Sequence, residues 1–237
     1  MTLTLSKRLQ TIASFLPKNA YFADIGTDHA YLPCYICLHD INASAIAGEV
    51  SEGPFNRAKK TVETFNLTNK IDVRLGDGLQ VLNEKTDHIE QLVIAGMGGS
   101  LMKDILNSGL SKLTSVKRII LQPNVGAKFI REWLYEQHYA IVAETIVEEN
   151  NHLYEIVVAD YGLKQPYDTA NELKAKQMMF GPLLMEEKSV LFQKKWLNEL
   201  NHLRQVINQM KHAKQSKTQR EQFLQQICWI EEVLSDE

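Results

Sequence analysis

The chain has 237 residues, of which 44% are hydrophobic and 23% are charged. These proportions are typical of folded globular proteins and exclude disordered and fibrous classes. The formal net charge of −3 excludes a uniformly basic coat for nucleic acid, so any basic surface must be local. The length predicts one domain of ordinary size with a smaller attachment.

The expected compartment is the cytoplasm. Met1 to Pro17 lack the continuous apolar run of a signal peptide, and no stretch approaches the roughly 18 apolar residues of a membrane span. Three cysteines, an odd number, form no disulfide framework. We interpret the single CxxC, Cys34 and Cys37, as packing cysteines rather than a redox pair, because the stretch is apolar. His39, His88, His138 and His152 show no ligand spacing and no second CxxC completes a zinc site, so no metal site is predicted.

The predicted elements alternate between helices and short apolar strands. Apolar residues at helical spacing from Leu5 to Leu16 predict an amphipathic helix that Pro17 ends. Continuous apolar runs then predict five buried parallel strands: Tyr21–Ile25, Ala45–Val50, Ile71–Leu75, Leu92–Ala95 and Arg118–Leu121. Helical spacing predicts crossover helices over Pro54–Phe65, Leu101–Leu106 and Ala127–Tyr135. The alternation indicates a parallel sheet covered by helices on both faces.

A hairpin is expected to follow the parallel strands. Tyr139–Val147 and Leu153–Ala159 are strand-like and leave no room for a helix between them, so they are predicted to pair antiparallel. Five parallel strands followed by such a hairpin resemble the Rossmann-like, seven-stranded sheet of class I methyltransferases. We therefore predict an α/β domain of this kind over residues 1–162.

The remaining residues, 163–237, contain no strand candidate. Apolar stripes with a repeat of three and four run from Leu191 to Met210 and from Phe223 to Leu234. A polar connection, Lys214 to Gln219, separates them. Two helices folded back on each other bury both stripes, so this part is predicted to be an α-helical coiled-coil hairpin.

The first strand ends in the sequence ADIGTDHA, at the edge where a doubly wound sheet binds ligands. Gly26 permits close approach of the backbone to a ligand, and Asp24 either holds the loop or accepts hydrogen bonds from an ammonium group. A full GxGxxG is absent, because Asp28 and Ala30 occupy glycine positions, which disfavours a dinucleotide pyrophosphate. An acidic loop suits a cationic sulfonium cofactor better than a phosphate.

Acidic residues also follow the next two strands. Glu49, followed by Val50, can accept hydrogen bonds from both hydroxyls of a ribose, as in NAD enzymes and methyltransferases. Asp77, between Gly76 and Gly78, can accept from an adenine amino group. Each carboxylate alone fits a strand-end cap equally well, whereas three at successive strand ends predict a cofactor site.

The fourth and fifth strands open onto the same crevice. The fourth continues into IAGMGG, which includes Gly96 and Met97 and either admits a ligand closely or makes a tight strand-to-helix turn. The fifth ends in LQPN. Its Asn124 is a candidate to hydrogen-bond a base edge; alternatively it starts a turn and caps the next helix.

In order along the chain, DIGTDHAYLP, GEVxxGP, RLGDGL, IAGMGG and LQPN resemble the motifs of the bacterial TrmK family of tRNA (adenine-N1)-methyltransferases. With the similar carboxyl-terminal hairpin, the resemblance covers nearly the whole chain. It implies methylation of N1 of the adenine at position 22 in the tRNA D-loop, with S-adenosylmethionine as cofactor and tRNA as partner. The cofactor-binding residues expected from these motifs are Asp24, Gly26, Glu49, Val50, Asp77, Gly78, Gly96 and Met97.

This reaction needs no strong catalytic base. Adenine N1 carries a lone pair at neutral pH, so positioning and electrostatics dominate. The target base is expected to turn out of the tRNA into the crevice. Asp28 is predicted to stabilise the cationic product, with His29 and Tyr31 as pocket residues beside Asn124. Tyr31 fits either a stacking platform for the base or an ordinary core tyrosine.

A basic strip lies in the carboxyl-terminal part. Between Lys188 and Arg220, eight basic residues stand against one acidic residue, Glu199, a local charge of +7. Such a strip either tracks RNA phosphates or forms a solvated coiled-coil face. The predicted RNA-binding residues are Lys188, Lys194, Lys195, Arg204 and Lys211.

Two other functions fit parts of these patterns. One is a different nucleotide-binding α/β enzyme, although the missing GxGxxG counts against NAD. The other is an RNA-binding scaffold that keeps a methyltransferase fold without turnover. Three intact strand-end carboxylates favour a working cofactor site. We expect no membrane partner and favour a monomer.

Overall fold

The computed structural model describes residues 3–210 and 217–235. The chain divides into two compact units, Met1–Pro166 and Tyr167–Glu237. The first unit extends beyond the predicted boundary at residue 162. One cause is Gln165, whose Nε2 donates to the Tyr139 carbonyl at 3.2 Å and holds the segment after the last strand on the first unit.

The first unit is built on a seven-stranded sheet. Its strands are β1 (Tyr21–Ile25), β2 (Ser44–Glu49), β3 (Ile71–Leu75), β4 (Gln91–Gly98), β5 (Arg118–Val125), β6 (Tyr139–Glu149) and β7 (His152–Tyr161). Their spatial order is β3-β2-β1-β4-β5-β7-β6. The strands β1 to β5 are parallel, and β7 runs antiparallel to both β5 and β6. The predicted class I methyltransferase sheet is confirmed.

Helices and short 3-10 turns connect the strands of this unit. The helices are α1 (Lys7–Ser14), α2 (Tyr31–His39), α3 (Glu52–Thr64), α4 (Gly99–Ser108) and α5 (Ala127–Glu136). The 3-10 turns are Gly78–Val81 and Leu110–Leu113. Sequence periodicity predicted α3, α4 and α5 but did not delimit α2. The reason is that α2 is apolar on all sides and buries Leu32, Pro33, Cys34 and Cys37.

The core lies on both faces of the central strands. Phe22 and Ala23 of β1, Val93 of β4 and Ile120 of β5 are fully buried. Burial of successive residues means that both faces are covered, which accounts for the continuous apolar runs. Each large side chain of this kind stabilises the fold by about 1.5–3 kcal/mol relative to exposure.

A buried ion cluster ties α5 to the β6–β7 hairpin. Arg131 of α5 is fully buried; its Nε donates to Glu144 Oε1 at 2.8 Å, and its Nη2 donates to Glu155 Oε2. Removing one partner of such a cluster leaves a buried charge uncompensated, which costs about 3–5 kcal/mol. The cluster therefore fixes the helix that follows β5 against the edge of the sheet.

The strand order reverses between β1 and β4, since β1 leads outward to β2 and the chain returns to β4 on its other side. At such a switch point the loops after the two strands diverge and leave a crevice at the carboxyl edge. The motifs of the sequence lie at this edge.

The second unit consists of helices in the part that the structure describes. These are α6 (Asn171–Phe180), α7 (Pro182–Glu187), α8 (Val190–Met210) and α9 (Lys217–Ser235). The helices α8 and α9 are in contact, which confirms the predicted helical hairpin. Of the predicted polar connection, residues 211–216 lie outside the described residues, and Lys217 already begins α9. None of the helices described is both long and apolar enough to cross a membrane.

The apolar stripe of α8 is buried, as its spacing predicts. It comprises Trp196, Leu200, Leu203, Ile207 and Met210. Leu197 lies within the range of the predicted stripe, but it is 51% exposed, because it lies one residue beyond Trp196 and faces away. Phe180 of α6 packs edge-on against Trp196, with ring centroids 4.5 Å apart.

Candidate active site

The loop after β1 is held by a buried carboxylate. Thr27 Oγ1 donates to Asp24 Oδ2 at 2.6 Å, and both residues are buried. The N–H groups of Gly26 and Thr27 both donate to the Gly48 carbonyl at the end of β2, at 2.9 and 3.2 Å. Asp24 therefore holds the loop, one of its two predicted roles, and its ionisation state is set by the same burial.

Burial of Asp24 raises the pKa of its carboxyl from 3.8 to about 7. The Thr27 hydrogen bond lowers this pKa, whereas the nearby Glu49 and Asp28 charges raise it further. An ordinary surface carboxyl is ionised at neutral pH, whereas burial of this one favours its protonated form. A cation placed beside it would favour its ionised form.

The next three residues have left-handed backbone conformations. Asp28, His29 and Ala30 have φ values of 41°, 67° and 57°. Such angles cost non-glycine residues about 1 kcal/mol or more each and persist only where surrounding contacts impose them. The loop thus turns sharply into α2.

The loop also presents two stacked rings. Those of His29 and Tyr31 lie nearly parallel, with centroids 5.3 Å apart and an interplanar angle of 22°. Tyr31 is 41% exposed, so the core-tyrosine interpretation is wrong. The Asp28 side chain is 87% exposed and lies 3.4 Å from His29 Nε2.

Glu49, at the end of β2, is a second buried carboxylate. The Asp28 backbone N–H donates to it and lowers its pKa, but burial dominates and raises that pKa overall. Its Oε1 is buried and accepts no hydrogen bond. A buried acceptor of this kind costs free energy until a donor reaches it. The hydroxyls of a ribose are donors of the right kind, so this side chain fits the predicted cofactor.

A cavity of about 210 Å³ is lined in part by chain neighbours of Asp24 and Glu49. Its lining is mainly apolar and glycine-rich and comprises Ile25, Gly26, Gly48, Val50, Gly76, Asp77, Gly78, Met97, Leu101 and Ile105. Asp77 is exposed, and its side chain makes no capping hydrogen bond to the 3-10 turn that follows it. Its carboxylate thus remains available at the cavity rather than serving as a cap. Five of the eight predicted cofactor-binding residues line this one space: Gly26, Val50, Asp77, Gly78 and Met97.

On the other side of β1, the ends of β4 and β5 are joined by two side-chain amides. Gly96, with φ of 79°, interrupts the regular pairing of β4 with β5. Gln122 Oε1 accepts from the Gly96 N–H at 3.1 Å, and Asn124 Nδ2 donates to the Gly96 carbonyl at 2.7 Å. Asn124 does not cap the next helix, whose N-cap is Gly126. The capping interpretation is therefore wrong, and Asn124 is exposed at the crevice.

Sequence reasoning missed two residues of this group. Arg8, in the first turn of α1, donates from Nη1 to Gln122 Oε1. Gln122 is fully buried and also donates from Nε2 to Asn124 Oδ1 at 3.2 Å. Gln122 lies inside the LQPN motif. It could have been identified from the sequence as a polar residue at the end of an apolar strand. Arg8 offers no local signal, because it lies 114 positions away in sequence.

The CxxC is buried, as its apolar surroundings predict. Cys34 and Cys37 are both free thiols inside the core. Burial raises the pKa of both, that of Cys37 to about 11. Since the thiolate is the reactive form, these side chains are poor nucleophiles at neutral pH. Within the described ranges, no group of three or more His, Cys, Asp or Glu side chains is placed to hold a metal ion.

The basic strip of the second unit is partly paired. Arg204 Nη2 donates to Glu231 Oε1 of α9 at 2.7 Å, and Lys195 Nζ lies 4.1 Å from the centroid of the Trp196 ring. Lys194 is exposed, and Lys188 ends α7 with φ of 45°. Lys211 lies outside the described residues. The paired Arg204 is thus less available to phosphates than its sequence position suggests.

Comparison with known proteins decides the family. The family model TrmK, described as tRNA (adenine(22)-N(1))-methyltransferase, matches residues 22–232. The chain belongs to this family. The resemblance drawn from the five motifs is confirmed, and the two rival functions lose their main support. The match includes all the strand-end motifs and most of the helical second unit.

Several relatives are similar over nearly their full length. The tRNA (adenine(22)-N(1))-methyltransferase of Bacillus subtilis (strain 168) is 45% identical over 234 residues, which are 99% of this chain and 97% of the relative. The crystal structure of the B. subtilis m1A22 tRNA methyltransferase TrmK covers 99% of this chain and 100% of its own, with a TM-score of 0.90 at 42% identity. Streptococcus pneumoniae Sp1610, solved in complex with S-adenosyl-L-methionine, has a TM-score of 0.86 at 41% identity and covers 98% and 100%.

Proposed function

We propose that this protein transfers a methyl group from S-adenosylmethionine to N1 of the adenine at position 22 of tRNA. Membership of the family over residues 22–232 supports the reaction. The observation in the structure that carries the proposal is the cavity at the ends of β1 to β4, whose lining includes Asp77 and chain neighbours of the buried residues Asp24 and Glu49. A glycine-lined space beside carboxylates suits a cationic nucleoside better than a phosphate.

The cofactor is held, in this proposal, by residues of four strand ends. They are Asp24, Gly26, Glu49, Val50, Asp77, Gly78, Gly96 and Met97. The unpartnered Oε1 of Glu49 accepts from ribose hydroxyls, and the exposed carboxylate of Asp77 accepts from the adenine amino group. Asp24 compensates positive charge. S-adenosylmethionine supplies a methyl group on a cationic sulfur, which a neutral nitrogen lone pair can attack.

The acceptor base is positioned by the loop after β1 and by the end of β5. Asn124 is exposed at the crevice, and its amide is oriented by hydrogen bonds to Gly96 and Gln122. The stacked pair His29 and Tyr31 offers a ring face to a base turned out of the RNA, and such stacking contributes about 1–3 kcal/mol. Asp28 stabilises the cationic product, although its 87% exposure screens the effect.

No strong general base is needed for this transfer. The nitrogen lone pair attacks directly, and the residues serve mainly to hold the two reactants in line and to exclude water. The fully buried Gln122 and the buried Asp24 keep the backbone around the crevice rigid. Rigid donors and acceptors do not reorganise during the reaction, which lowers its barrier.

The tRNA is held by the basic strip of the second unit in this proposal. Its proposed contacts are Lys188, Lys194, Lys195, Arg204 and Lys211. Lys194 is exposed on the long helix α8 and Lys195 is half-buried beside it. Lysines are suited to phosphates, because their flexible side chains reach a curved backbone. We further propose that the protein acts as a monomer in the cytoplasm; light scattering across protein concentration tests the first of these.

Transfer of labelled methyl to unmodified tRNA transcript tests the function. One transcript carries adenine at position 22 and the other carries guanine there. Label on the adenine transcript alone supports both reaction and position. Equal label on both transcripts retains the methyltransferase and discards the position. A protein that binds tRNA and takes up no label or cofactor is a scaffold, and the proposal fails.

A further inference from the structure

The Arg8 side chain of the amino-terminal helix α1 reaches the ends of β4 and β5. Arg8 lies in the first turn of α1, where backbone N–H groups lack helical partners. Its N–H donates to Glu149 Oε1 at the end of β6, at 3.2 Å. Its guanidinium lies 5.2 Å from the centroid of the Tyr154 ring on β7 and donates to Gln122 on β5. Three strands of the sheet thus fix the direction of this side chain.

The guanidinium also lies next to Gly96. A Cβ built on Gly96 would lie 3.7 Å from Arg8 Nη1. The charge is compensated by Glu149, whose Oε2 lies 3.8 Å from Arg8 Nε. With 22% of its side chain exposed, Arg8 is mostly withdrawn from solvent. Its position therefore suits the support of neighbouring groups better than capture of a phosphate.

In the hydrogen bonds that link Arg8 to Asn124, each group has a fixed role as donor or acceptor. Arginine and a backbone N–H only donate, so the Gln122 oxygen must face both Arg8 and Gly96. The Gln122 nitrogen then faces Asn124 Oδ1 at 3.2 Å. Consequently the Asn124 nitrogen faces the Gly96 carbonyl at 2.7 Å. The donors at one end of the network decide which way round the exposed amide at the other end lies.

We propose that Arg8 is a positioning residue for the acceptor base, acting through Gln122 on Asn124 and Gly96. In the enforced orientation, Asn124 Oδ1 keeps a lone pair for the amino group of adenine, which leaves adenine N1 unobstructed. An Asn124 amide turned over would present an N–H to that amino group, and two donors repel. This inference rests on the proposed function, because it assigns a substrate to Asn124.

Two variants break the network at different links. Arg8→Met removes the donors and keeps an unbranched apolar side chain. Gln122→Glu still accepts from Arg8 and from the Gly96 N–H but cannot donate to Asn124, so it breaks only the last link. Arg8→Lys restores one donor. The matched control is Arg118→Met, because Arg118 also ties α1 to the sheet: it donates to the Phe15 carbonyl at 3.0 Å and pairs with Asp160.

The measurements are the single-turnover rate with saturating transcript, the cofactor Kd by calorimetry, and the melting temperature. We expect Arg8→Met and Gln122→Glu to lose about 10²-fold in rate, as a small misplacement does, with the Kd within about twofold of wild type. Arg8→Lys should recover part of the rate. Arg118→Met should lower the melting temperature yet keep the rate. The side-chain amide resonances of Asn124, in asparagine-labelled protein, should shift in both network variants and not in the control.

The outcomes separate this inference from the proposed function. Wild-type protein that leaves the adenine-22 transcript unlabelled overturns both. Active wild type, with Arg8→Met and Gln122→Glu as fast as Arg118→Met, overturns the role of Arg8 alone. Should Arg8→Met fail to fold, Gln122→Glu decides, because it retains the Arg8 contact: an unchanged rate in that variant overturns the inference.

Discussion

The Asp24 carboxyl holds the loop after β1 from a buried position, and the same burial opposes its ionisation. It is buried where it holds the loop after β1, and burial raises its pKa to about 7. In the unfolded chain the same group ionises near pH 3.9. Between about pH 4 and about pH 7, the folded protein keeps a proton that the unfolded chain has released. The free energy of unfolding therefore falls as pH rises through this window and levels off above it.

Replacement of this carboxyl by an amide should separate stability from function. In Asp24→Asn the Thr27 hydroxyl still has an oxygen to donate to, but no charge is buried. We expect the variant without cofactor to melt above wild type at about pH 8, by about 2–4 °C for each kcal/mol recovered, and level with it at about pH 4. Its cofactor affinity should be lower at every pH. Scanning calorimetry across pH checks the first expectation, and a pH-independent difference in melting temperature would contradict it.

At the scale of elements, the loops after β4 and β5 are in backbone contact. A Cβ on Gly99, the first residue of α4, would lie 2.1 Å from the Gly126 carbonyl oxygen. Neither backbone has a flexible end that can move aside, so a side chain at Gly99 must separate the loops. The strand ends that lead into those loops carry Gly96 and Asn124, and the fit of α4 against α5 is therefore part of the candidate site.

Gly99→Ala should cost about 1–3 kcal/mol of stability and lower turnover by about tenfold or more, since it displaces both loops. The matched control is Gly53→Ala in α3, where the nearest atom to a new Cβ is Arg57 Nη1 at 3.8 Å. That change should leave turnover unchanged and stabilise by up to about 1 kcal/mol. Denaturant unfolding and methyl transfer measure both effects. Equal behaviour of the two variants would show that the loop contact is dispensable.

The sequence predicted elements well wherever burial repeats locally. The five apolar runs became β1 to β5, and the striped segments became α3, α5 and α8. The strands β4 and β5 run on to Gly98 and Val125, beyond their apolar runs, because cross-strand hydrogen bonds continue through glycine and polar residues. The hydrophobic pattern of the sequence does not predict that these two strands continue.

Candidate site residues were predictable when they stood inside a motif at a strand end. Asp24, Glu49 and Asn124 carry recognisable chemistry at the edge where doubly wound sheets bind ligands. Arg8 was not predictable, because its role depends on the packing of α1 across a sheet whose relevant strand lies more than a hundred residues later. Its contact is a product of the tertiary fold.

At the scale of the whole molecule, charge is unevenly distributed. The chain carries −3 overall, whereas the segment from Lys188 to Arg220 carries +7. Lys194 and Lys195 are adjacent residues of α8 within this segment, and we propose both as phosphate contacts. Binding that depends on a few such charges weakens steeply with salt, because each contact releases condensed counterions.

The double variant Lys194→Gln, Lys195→Gln should bind tRNA more weakly and lower the slope of log K against log salt by about 1.5–2. A matched control is the pair Lys59→Gln, Lys60→Gln on α3 of the first unit, which should leave the slope unchanged. Fluorescence titrations at several salt concentrations measure both slopes. An unchanged slope in the first variant would assign these lysines to an ordinary solvated helix face.

The left-handed turn at Asp28, His29 and Ala30 also bears on how the protein can change. Glycine at any of these positions would relieve backbone strain, so selection for heat tolerance alone would favour it. The loop would then sample more conformations. The Asp28 N–H, which donates to Glu49, and the stacked rings of His29 and Tyr31 would lose their fixed positions. Variants selected for thermostability alone should therefore acquire glycines in this loop and turn over slowly. Directed evolution of a stable and active enzyme from this chain must select for turnover from the first round.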